Sequence, residues 1–319
     1  MTSLPSQVET MPTTSILIPV YNREKYIGDC IRSALSQTVT DFEIVIVDNA
    51  STDNTWGICQ EYAGRDFRVR IFRNEKNIGP VRNWIRCAQE ARGKYSKILF
   101  SDDLLEPDCI ARMLQPFDNP EVGLVFCAAR IGESKEKSAI AYSVKSDSLI
   151  DQKKYLSLLL HNRAPVSPGA VMLRTIDLIR NLHSNFPTAT PRPFDRHGAG
   201  PDVMIMLLTA AAYPKVMCIS DSLVFFRVHS GSFTISNNNN EVSAGYTSAI
   251  SYHLMGSGKW LSWICYLTGA WLHEVKNRKH WINPIKYLES NEGNGSILEL
   301  LFLVLIAPLL SAKKIFRRA

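Results

Sequence analysis

The sequence predicts an α/β fold, a mostly parallel sheet flanked by helices, and three observations support this prediction. Short runs of apolar residues, such as Ser15–Val20 and Phe42–Val47, are typical of buried strands. Amphipathic stretches of helical period, such as Tyr26–Leu35, alternate with these runs. Polar residues follow several of the predicted strands directly, at the edge where a parallel sheet binds its ligands.

The same patterns predict the remaining elements in chain order. The further strands are Val69–Phe72, Lys97–Ser101, Val122–Cys127, Ala170–Leu173, Val216–Ile219 and Leu223–Val228. The further helices are Asn54–Ala63, Pro80–Arg92, a helix from about Pro107, and Asp202–Ala212. Ile131–Ser148 is polar and aperiodic, which predicts a surface excursion. His183–Gly200 is rich in proline and glycine, which predicts a long loop of the kind that often acts as a lid.

We divide the chain of 319 residues into three parts. Residues 1–13 are predicted to be disordered, residues 14–235 to form the α/β domain, and residues 236–319 to form a helical extension. Four consecutive asparagines, Asn237–Asn240, support the second boundary. The first residues lack a basic region followed by an apolar run, which predicts that there is no signal peptide and that the protein is cytoplasmic.

The net charge of +6 is concentrated at the C-terminus. From Gly256 onward there are nine Lys or Arg and four Glu, which leaves the rest of the chain close to neutral and argues against a nucleic-acid partner. Residues 297–310 are mostly apolar and precede a basic tail, but they are fewer than the ~20 needed to span a bilayer. They predict either a helix on the anionic inner surface of the membrane or one packed on this domain or a second subunit.

Several protein classes are excluded by missing motifs. The seven cysteines are widely spaced without a CxxC pair, which predicts buried free thiols in a reducing compartment rather than a zinc or thioredoxin-type site. The chain has no GxGxxG after the first strand, no GxxxxGK[ST] and no GxSxG. These absences argue against dinucleotide-binding oxidoreductases, P-loop NTPases and α/β-hydrolases.

Three polar clusters follow predicted strands: Tyr21–Arg23, Asp48–Asn49 and Asp102–Asp103. Because the carboxyl ends of parallel strands share one edge of a sheet, we expect the clusters to form one site. Adjacent carboxylates repel unless a cation or a donor compensates them, and Mg²⁺ or Mn²⁺ binds carboxylate oxygens together with substrate phosphates. The alternative is that Asp102 and Asp103 cap the following helix.

Six segments together resemble the family 2 glycosyltransferases, which have the GT-A fold. They are Ser15–Arg23 (SILIPVYNR), Ile46–Thr55 (IVDNASTDNT), Asn74–Asn83 (NEKNIGPVRN), Phe100–Asp103 (FSDD), Gly200–Asp202 (GPD) and Phe226–His229 (FRVH). Their order and spacing match the family over about residues 14–235. The family's acidic motif often reads Asp-x-Asp-Asp, and Phe100 stands at its first position here.

The resemblance implies an inverting hexosyltransferase that binds a nucleoside-diphosphate sugar. The basic tail next to apolar residues predicts the acceptor, a saccharide or lipid-linked saccharide in the synthesis of surface polysaccharide or lipopolysaccharide. The donor would be bound by Pro19, Tyr21, Asn22, Asp48, Asn77, Gly79, Ser101, Asp102 and Arg227. Among these, Asp48 would contact the nucleotide base and Arg227 the phosphates. A divalent metal, Mg²⁺ or Mn²⁺, would be held by Asp102, Asp103 and His229. Asp202 would be the catalytic base that deprotonates the acceptor hydroxyl.

Other functions remain open at the level of the sequence. A nucleotidyltransferase would need a glycine-rich loop after the first strand, where this chain has no glycine until Gly28. A non-catalytic nucleotide-sugar-binding protein would keep the donor site alone, and a scaffold protein would act through its tryptophan-rich C-terminal segment. For single residues, Asp202 as a helix cap and His229 as a histidine in a turn are the structural alternatives.

Overall fold

The structure is a computed structural model that describes residues 11–161, 163–186, 194–231 and 239–258. Within these residues, ten strands form one sheet. The strands are β1 Thr14–Val20, β2 Phe42–Asp48, β3 Val69–Arg73, β4 Tyr95–Ile98, β5 Leu104–Leu105, β6 Val122–Gly132, β7 Ser138–Ala141, β8 Ser148–Asp151, β9 Val171–Arg174 and β10 Lys215–Arg227. The α-helices are α1 Ile27–Leu35, α2 Thr55–Arg65, α3 Pro80–Gln89, α4 Cys109–Leu114, α5 Gln152–Leu160, α6 Thr175–Asn181, α7 Phe194–His197, α8 Pro201–Ala212 and α9 Asn239–Gly256.

The first four long strands form the parallel part of the sheet, in the spatial order β3-β2-β1-β4. Val20 at the end of β1 pairs with Asp48 at the end of β2, so the two strands finish side by side. The polar residues that follow them therefore meet at one edge, and the predicted α/β class is confirmed.

The second half makes the sheet mixed. Strand β9 lies between β4 and β6 and runs antiparallel to both, while β10 is parallel to β6. Strands β5 and β8 pair antiparallel with β10, and β7 pairs antiparallel with β6. The short connection from β6 to β7 can join only antiparallel strands, because a parallel pair needs a long crossover.

Both faces of β1 and β2 are buried, which explains their nearly continuous apolar sequences. Leu17 and Val45 belong to the core on one face, whereas Ile16 and Ile44 belong to the core on the other. Helix α1 covers the second face with its apolar stripe, of which Ile27, Cys30, Ile31 and Ala34 are buried. The predicted helical period of this segment is thus confirmed.

Strand β4 ends earlier than predicted, and this places the acidic pair in a turn. It stops at Ile98 rather than Ser101, because the chain turns where the Asp103 amide donates to the Phe100 carbonyl oxygen (2.9 Å). Helix α4 does not begin until Cys109. Asp102 and Asp103 are therefore not the cap of that helix, and the capping alternative is wrong for this pair.

Three other segments also differ from the sequence pattern. Residues 131–148, predicted to be a surface excursion, contain the end of β6, all of β7 and the start of β8. Because the side chains of β7 and β8 are partly exposed, their sequences do not alternate between apolar and polar residues. The two strands predicted at 216–219 and 223–228 are the single strand β10, whose pairing shifts register around the polar pair Ser220–Asp221. The predicted loop at 183–200 includes the short helix α7.

Helix α9 begins the predicted C-terminal extension and packs against α8. Its residues Ala249, Ile250 and Leu254 are buried in the same core as Val203 of α8. Residues 259–319, with the apolar segment 297–310 and the basic tail, lie outside the described residues. No helix in the described part is both long enough and apolar enough to cross a membrane.

Candidate active site

The loops after β1 and β2 are held together by Asn22. Its backbone amide donates to Ser51 Oγ (2.9 Å), and its side-chain oxygen accepts from the Thr52 amide (2.8 Å). Asn22 has a φ of 50°, a left-handed conformation that asparagine tolerates better than most residues. Pro19 is buried in β1, and Tyr21 is 39% exposed beside the loop. Three of the predicted donor residues thus lie in or next to one braced turn.

Asp48 ends β2 and is fully buried. Its carboxylate accepts a hydrogen bond from the Ser51 amide (3.1 Å) and pairs with Arg73 Nε (3.0 Å). A carboxylate offers about four acceptor positions, so these contacts fix the group without using all of its capacity. The predicted contact of Asp48 with the nucleotide base stays a prediction.

A network of asparagine side chains connects the ends of β2 and β3 to α3. Asn49 Nδ2 donates to Asn77 Oδ1 (2.9 Å) and to the Gly79 carbonyl (3.3 Å). Asn74 Nδ2 donates to Asn49 Oδ1 and Asn83 Oδ1, both at 2.8 Å. The two predicted donor residues of this region, Asn77 and Gly79, are therefore positioned by a network of three buried asparagines. Asn49 belongs to the predicted polar cluster after β2, whereas Asn74 and Asn83 had no predicted role beyond their presence in a family segment.

The acidic turn after β4 contacts two other elements. Asp102 Oδ2 lies 3.4 Å from Arg23 Nε and 3.0 Å from His229 Nε2, and Asp103 Oδ1 accepts from the Arg227 amide (3.0 Å). These contacts join the β1–α1 loop and the end of β10 to the acidic turn. The structure thus brings together Asp102, Asp103, Arg227 and His229, and it places Arg23 of the predicted Tyr21–Arg23 cluster beside them.

Arg227 and His229 pack around Tyr26. The Tyr26 ring stacks on the His229 ring at 4.3 Å, and the Arg227 guanidinium lies 5.1 Å from the Tyr26 ring centre. Arg227 Nη2 is also 3.3 Å from Asp29 Oδ2. A phosphate would have to compete with Asp29 for this guanidinium, so the predicted phosphate contact requires Arg227 to change partner. The sequence assigned Tyr26 only to the first predicted helix, and it did not predict that Tyr26 contacts Arg227 and His229.

Burial perturbs the charged groups beneath the acidic turn. Burial and the neighbouring charge of Asp102 raise the pKa of Asp103 well above its ordinary value, although the Arg227 amide and Lys97 oppose the shift. Burial likewise lowers the pKa of Lys97. Lys97 Nζ donates to the Ile98 carbonyl (2.8 Å) and to the Gly169 carbonyl. Asp103 is thus held in a poorly solvated position where an additional cation would stabilise its charge.

The side chains at the acidic turn include some of the ligands that a hard divalent cation needs. Two adjacent carboxylates supply the oxygen ligands that Mg²⁺ and Mn²⁺ prefer. His229 is arranged differently, because its Nδ1 accepts from the Gly231 amide (3.1 Å), so that the neutral ring carries its proton on Nε2 and donates it to Asp102. No group of three or more His, Cys, Asp or Glu side chains is arranged to hold a metal among the residues that the structure describes. The role of His229 as a metal ligand stays a prediction.

Asp202 lies in the first turn of α8 and is 6% exposed. Its Oδ1 accepts from the Gly200 amide (2.8 Å) and the Val203 amide (2.7 Å), and its Oδ2 accepts from the Tyr246 hydroxyl (3.0 Å). Burial raises its pKa to about 7, even though all three hydrogen bonds act to lower it. A carboxylate with a pKa near the operating pH can both take up and release a proton, as a general base must.

The pKa of Asp202 makes the stability of the protein depend on pH. Because this pKa is about 7 in the folded state against 3.8 for the ordinary carboxyl, the folded state binds the proton more tightly than the unfolded state. The free energy of unfolding therefore falls as the pH rises between these values, by at most about 4 kcal/mol. We expect Asp202→Asn, which cannot titrate, to gain stability relative to the wild type over this window.

Urea denaturation at about pH 5 and about pH 8 measures this difference. The control is Asp118→Asn, which removes an exposed carboxyl and should change stability equally at both pH values. A stability difference between Asp202→Asn and the wild type that stays constant with pH would contradict the raised pKa.

The gathering of polar loops at the carboxyl ends of parallel strands gives this chain the arrangement in which open α/β sheets bind their ligands. A family model described as glycosyl transferase family 2 matches residues 15–178, just over half of the chain. The chain belongs to this family, and its fold is of the GT-A type. The match includes the loops after β1, β2, β3 and β4 but ends before Asp202.

The chain is also similar to individual proteins. It is 44% identical to a chondroitin synthase of Escherichia coli over 111 residues, which are 34% of this chain but only 16% of that protein. The fragment of S. aureus TarS that comprises its residues 1–349, solved in complex with UDP-GlcNAc, has the same fold, with a TM-score of 0.68 and 17% identity over 95% of this chain and 88% of that fragment. The mannosyltransferase PcManGT of Pyrobaculum calidifontis, solved with GDP-Man and Mn²⁺, has a TM-score of 0.55 and 15% identity over 97% of this chain and 83% of PcManGT.

Proposed function

We propose that this protein transfers a sugar from a nucleoside-diphosphate sugar to an acceptor hydroxyl with inversion at the anomeric carbon. The observation that carries the proposal is Asp202, a buried carboxylate with a pKa of about 7, held by three hydrogen bonds in the protein fold of a glycosyltransferase family. A group of this kind suits a reaction that must remove a proton from a hydroxyl near neutral pH.

In the proposed reaction the acceptor hydroxyl gives its proton to Asp202 as its oxygen bonds to the anomeric carbon. The bond from that carbon to the diphosphate breaks, and its electron pair leaves with the nucleotide. The loops around Asn22, Asp48 and Asn77 would hold the donor, and Arg227 would contact its phosphates after leaving Asp29. Asp102 and Asp103 would hold a divalent cation, Mg²⁺ or Mn²⁺, which would offset the charge on the diphosphate when bound.

The proposed acceptor is a saccharide or a lipid-linked saccharide in the assembly of a surface polysaccharide or lipopolysaccharide. The similarity to a chondroitin synthase supports a polysaccharide acceptor. The basic and apolar composition of residues 297–318 supports the proposal that sugar transfer takes place at the cytoplasmic surface of a membrane. Both inversion and transfer of a hexose are inferred from the family resemblance. Inversion is also supported by the presence of a single proposed catalytic base, Asp202.

Calorimetric titration with UDP, GDP and dTDP, in Mn²⁺ and then in EDTA, tests the proposal. We expect one nucleotide to bind in Mn²⁺ and to lose affinity on chelation, because the cation links the acidic turn to the phosphates. The matching nucleotide sugar should then support transfer. If no nucleotide binds in either condition, the proposal is wrong and a scaffold function is favoured. Binding without any transfer would favour the non-catalytic nucleotide-sugar-binding protein.

A further inference from the structure

The two carboxylate oxygens of Asp202 are held by different parts of the chain. Oδ1 accepts two backbone hydrogen bonds, from Gly200 and Val203, both at the start of α8. Oδ2 accepts from the hydroxyl of Tyr246, which lies 44 residues further along the chain on α9. The rigid carboxylate is thus held from two sides, at Oδ1 by backbone amides and at Oδ2 by a side chain from another helix.

The packing of α9 brings Tyr246 to this position. A Cβ on the neighbouring Gly245 would overlap the carbonyl oxygen of Ala199, so glycine allows α9 to approach the backbone just before α8. Gly200 has a φ of 116°, a conformation that other residues rarely adopt, and it lies against the Gly245 carbonyl. Two glycines, one on each segment, therefore permit the close contact that places the Tyr246 hydroxyl 3.0 Å from Asp202.

We propose that Tyr246 is a positioning residue that orients Oδ2 of Asp202 toward the acceptor hydroxyl, so that helix α9 completes the catalytic site. The proposal rests on the proposed role of Asp202 as the base. Oδ1 already accepts two hydrogen bonds, so Oδ2 is the oxygen that takes the proton. Tyr246 uses one lone pair of Oδ2 and leaves the second to the acceptor, and its donated hydrogen bond stabilises the ionised form that is needed before each turnover.

The electrostatic surroundings support this role. Burial and the charge of Asp202 raise the pKa of Tyr246 well above its ordinary value, so its hydroxyl stays protonated and can donate at neutral pH. Tyr142, which follows β7, is a further hydroxyl near Asp202, and burial and the charge of Asp202 raise its pKa as well. His197 at the end of α7 faces Gly245, and its Nδ1 accepts from the Ala199 amide (3.1 Å).

The test is the titration of Asp202 in the full chain, followed by NMR of carboxyl-labelled aspartate and assigned with Asp202→Asn. The wild-type midpoint should lie at about 7. We expect Tyr246→Phe to raise the midpoint by about one pH unit, because removing a donor destabilises the ionised carboxylate. An unchanged midpoint in a folded Tyr246→Phe variant would overturn the proposal.

Two further variants keep the test specific. Tyr252→Phe makes the same change on the same helix at a residue that is 41% exposed, and it should leave the midpoint unchanged. Gly245→Ala keeps the Tyr246 hydroxyl but forces α9 away from Ala199, so the midpoint should rise as in Tyr246→Phe. A Gly245→Ala protein with a wild-type midpoint would show that the approach of α9 does not matter.

Kinetics separate this proposal from the proposed function. In Tyr246→Phe the acid limb of kcat/KM should move to higher pH in parallel with the NMR midpoint. If Asp202→Asn abolishes transfer while Tyr246→Phe changes neither midpoint nor limb, the base assignment stands and the role of Tyr246 fails. If Asp202→Asn transfers sugar at the wild-type rate, the base assignment itself fails, whatever the titration shows.

Discussion

Asp202→Asn is expected to lower the turnover of sugar transfer at least ~10²-fold, the usual contribution of a general base. The asparagine oxygen can still accept from the Gly200 and Val203 amides, so the start of α8 should keep its geometry. What disappears is the group that takes the proton of the acceptor hydroxyl. Binding of the nucleotide sugar should not change, because Asp202 lies outside the loops that would hold the donor.

Single-turnover kinetics with the donor identified by calorimetry, together with a titration of the same nucleotide, measure both effects. Asp151→Asn is the matched control, because Asp151 caps α5 by accepting from the Lys154 amide and has no proposed catalytic role. If Asp202 were only a helix cap, the two variants would behave alike. Full turnover in Asp202→Asn would refute its assignment as the base.

Asp102→Asn is expected to weaken Mn²⁺ binding at least ~10-fold, a loss that is typical even for residues that only orient a metal ligand. The asparagine keeps an oxygen for Arg23 and His229 but lacks the negative charge that a divalent cation requires. Since the cation would join the protein to the diphosphate, affinity for the nucleotide should fall with it.

Titration of Mn²⁺ in the presence of the nucleotide gives this result without an activity assay. Asp108→Asn serves as the control, since Asp108 lies in the same connection but precedes α4 and has no side-chain capping bond. Unchanged Mn²⁺ affinity in Asp102→Asn would remove Asp102 from the set of metal ligands. It would also favour the present pairing with Arg23 and His229 as the functional state of this carboxylate.

The sequence predicted the N-terminal half of the fold closely because its signals there are local. In β1 and β2 alternate residues fill the cores on opposite faces of the sheet, so each strand is an uninterrupted apolar run. The prediction for residues 131–148 was wrong because β7 and β8 lie at the margin of the sheet, where partly exposed strands do not alternate between apolar and polar residues. Strand β10 was predicted as two strands because the polar residues 220–221 interrupt its apolar sequence. They shift the register of its pairing with β6 but do not end that pairing.

What the sequence by itself determined is the set of polar residues at the strand ends, since motif and strand boundary are both local properties. Asp48 and Asp102 could be selected in this way, whereas Asp202, in the first turn of α8, was selected only through the GPD segment of the family resemblance. Only the tertiary structure decided their partners: Arg73 for Asp48, Arg23 and His229 for Asp102, and Tyr246 for Asp202. These partners lie 25 to 127 residues away from the acids that they contact. Such contacts depend on how helices and strands pack, as with α9 against α8. The periodicity of the sequence predicts single helices and strands, but it does not predict which of them pack together.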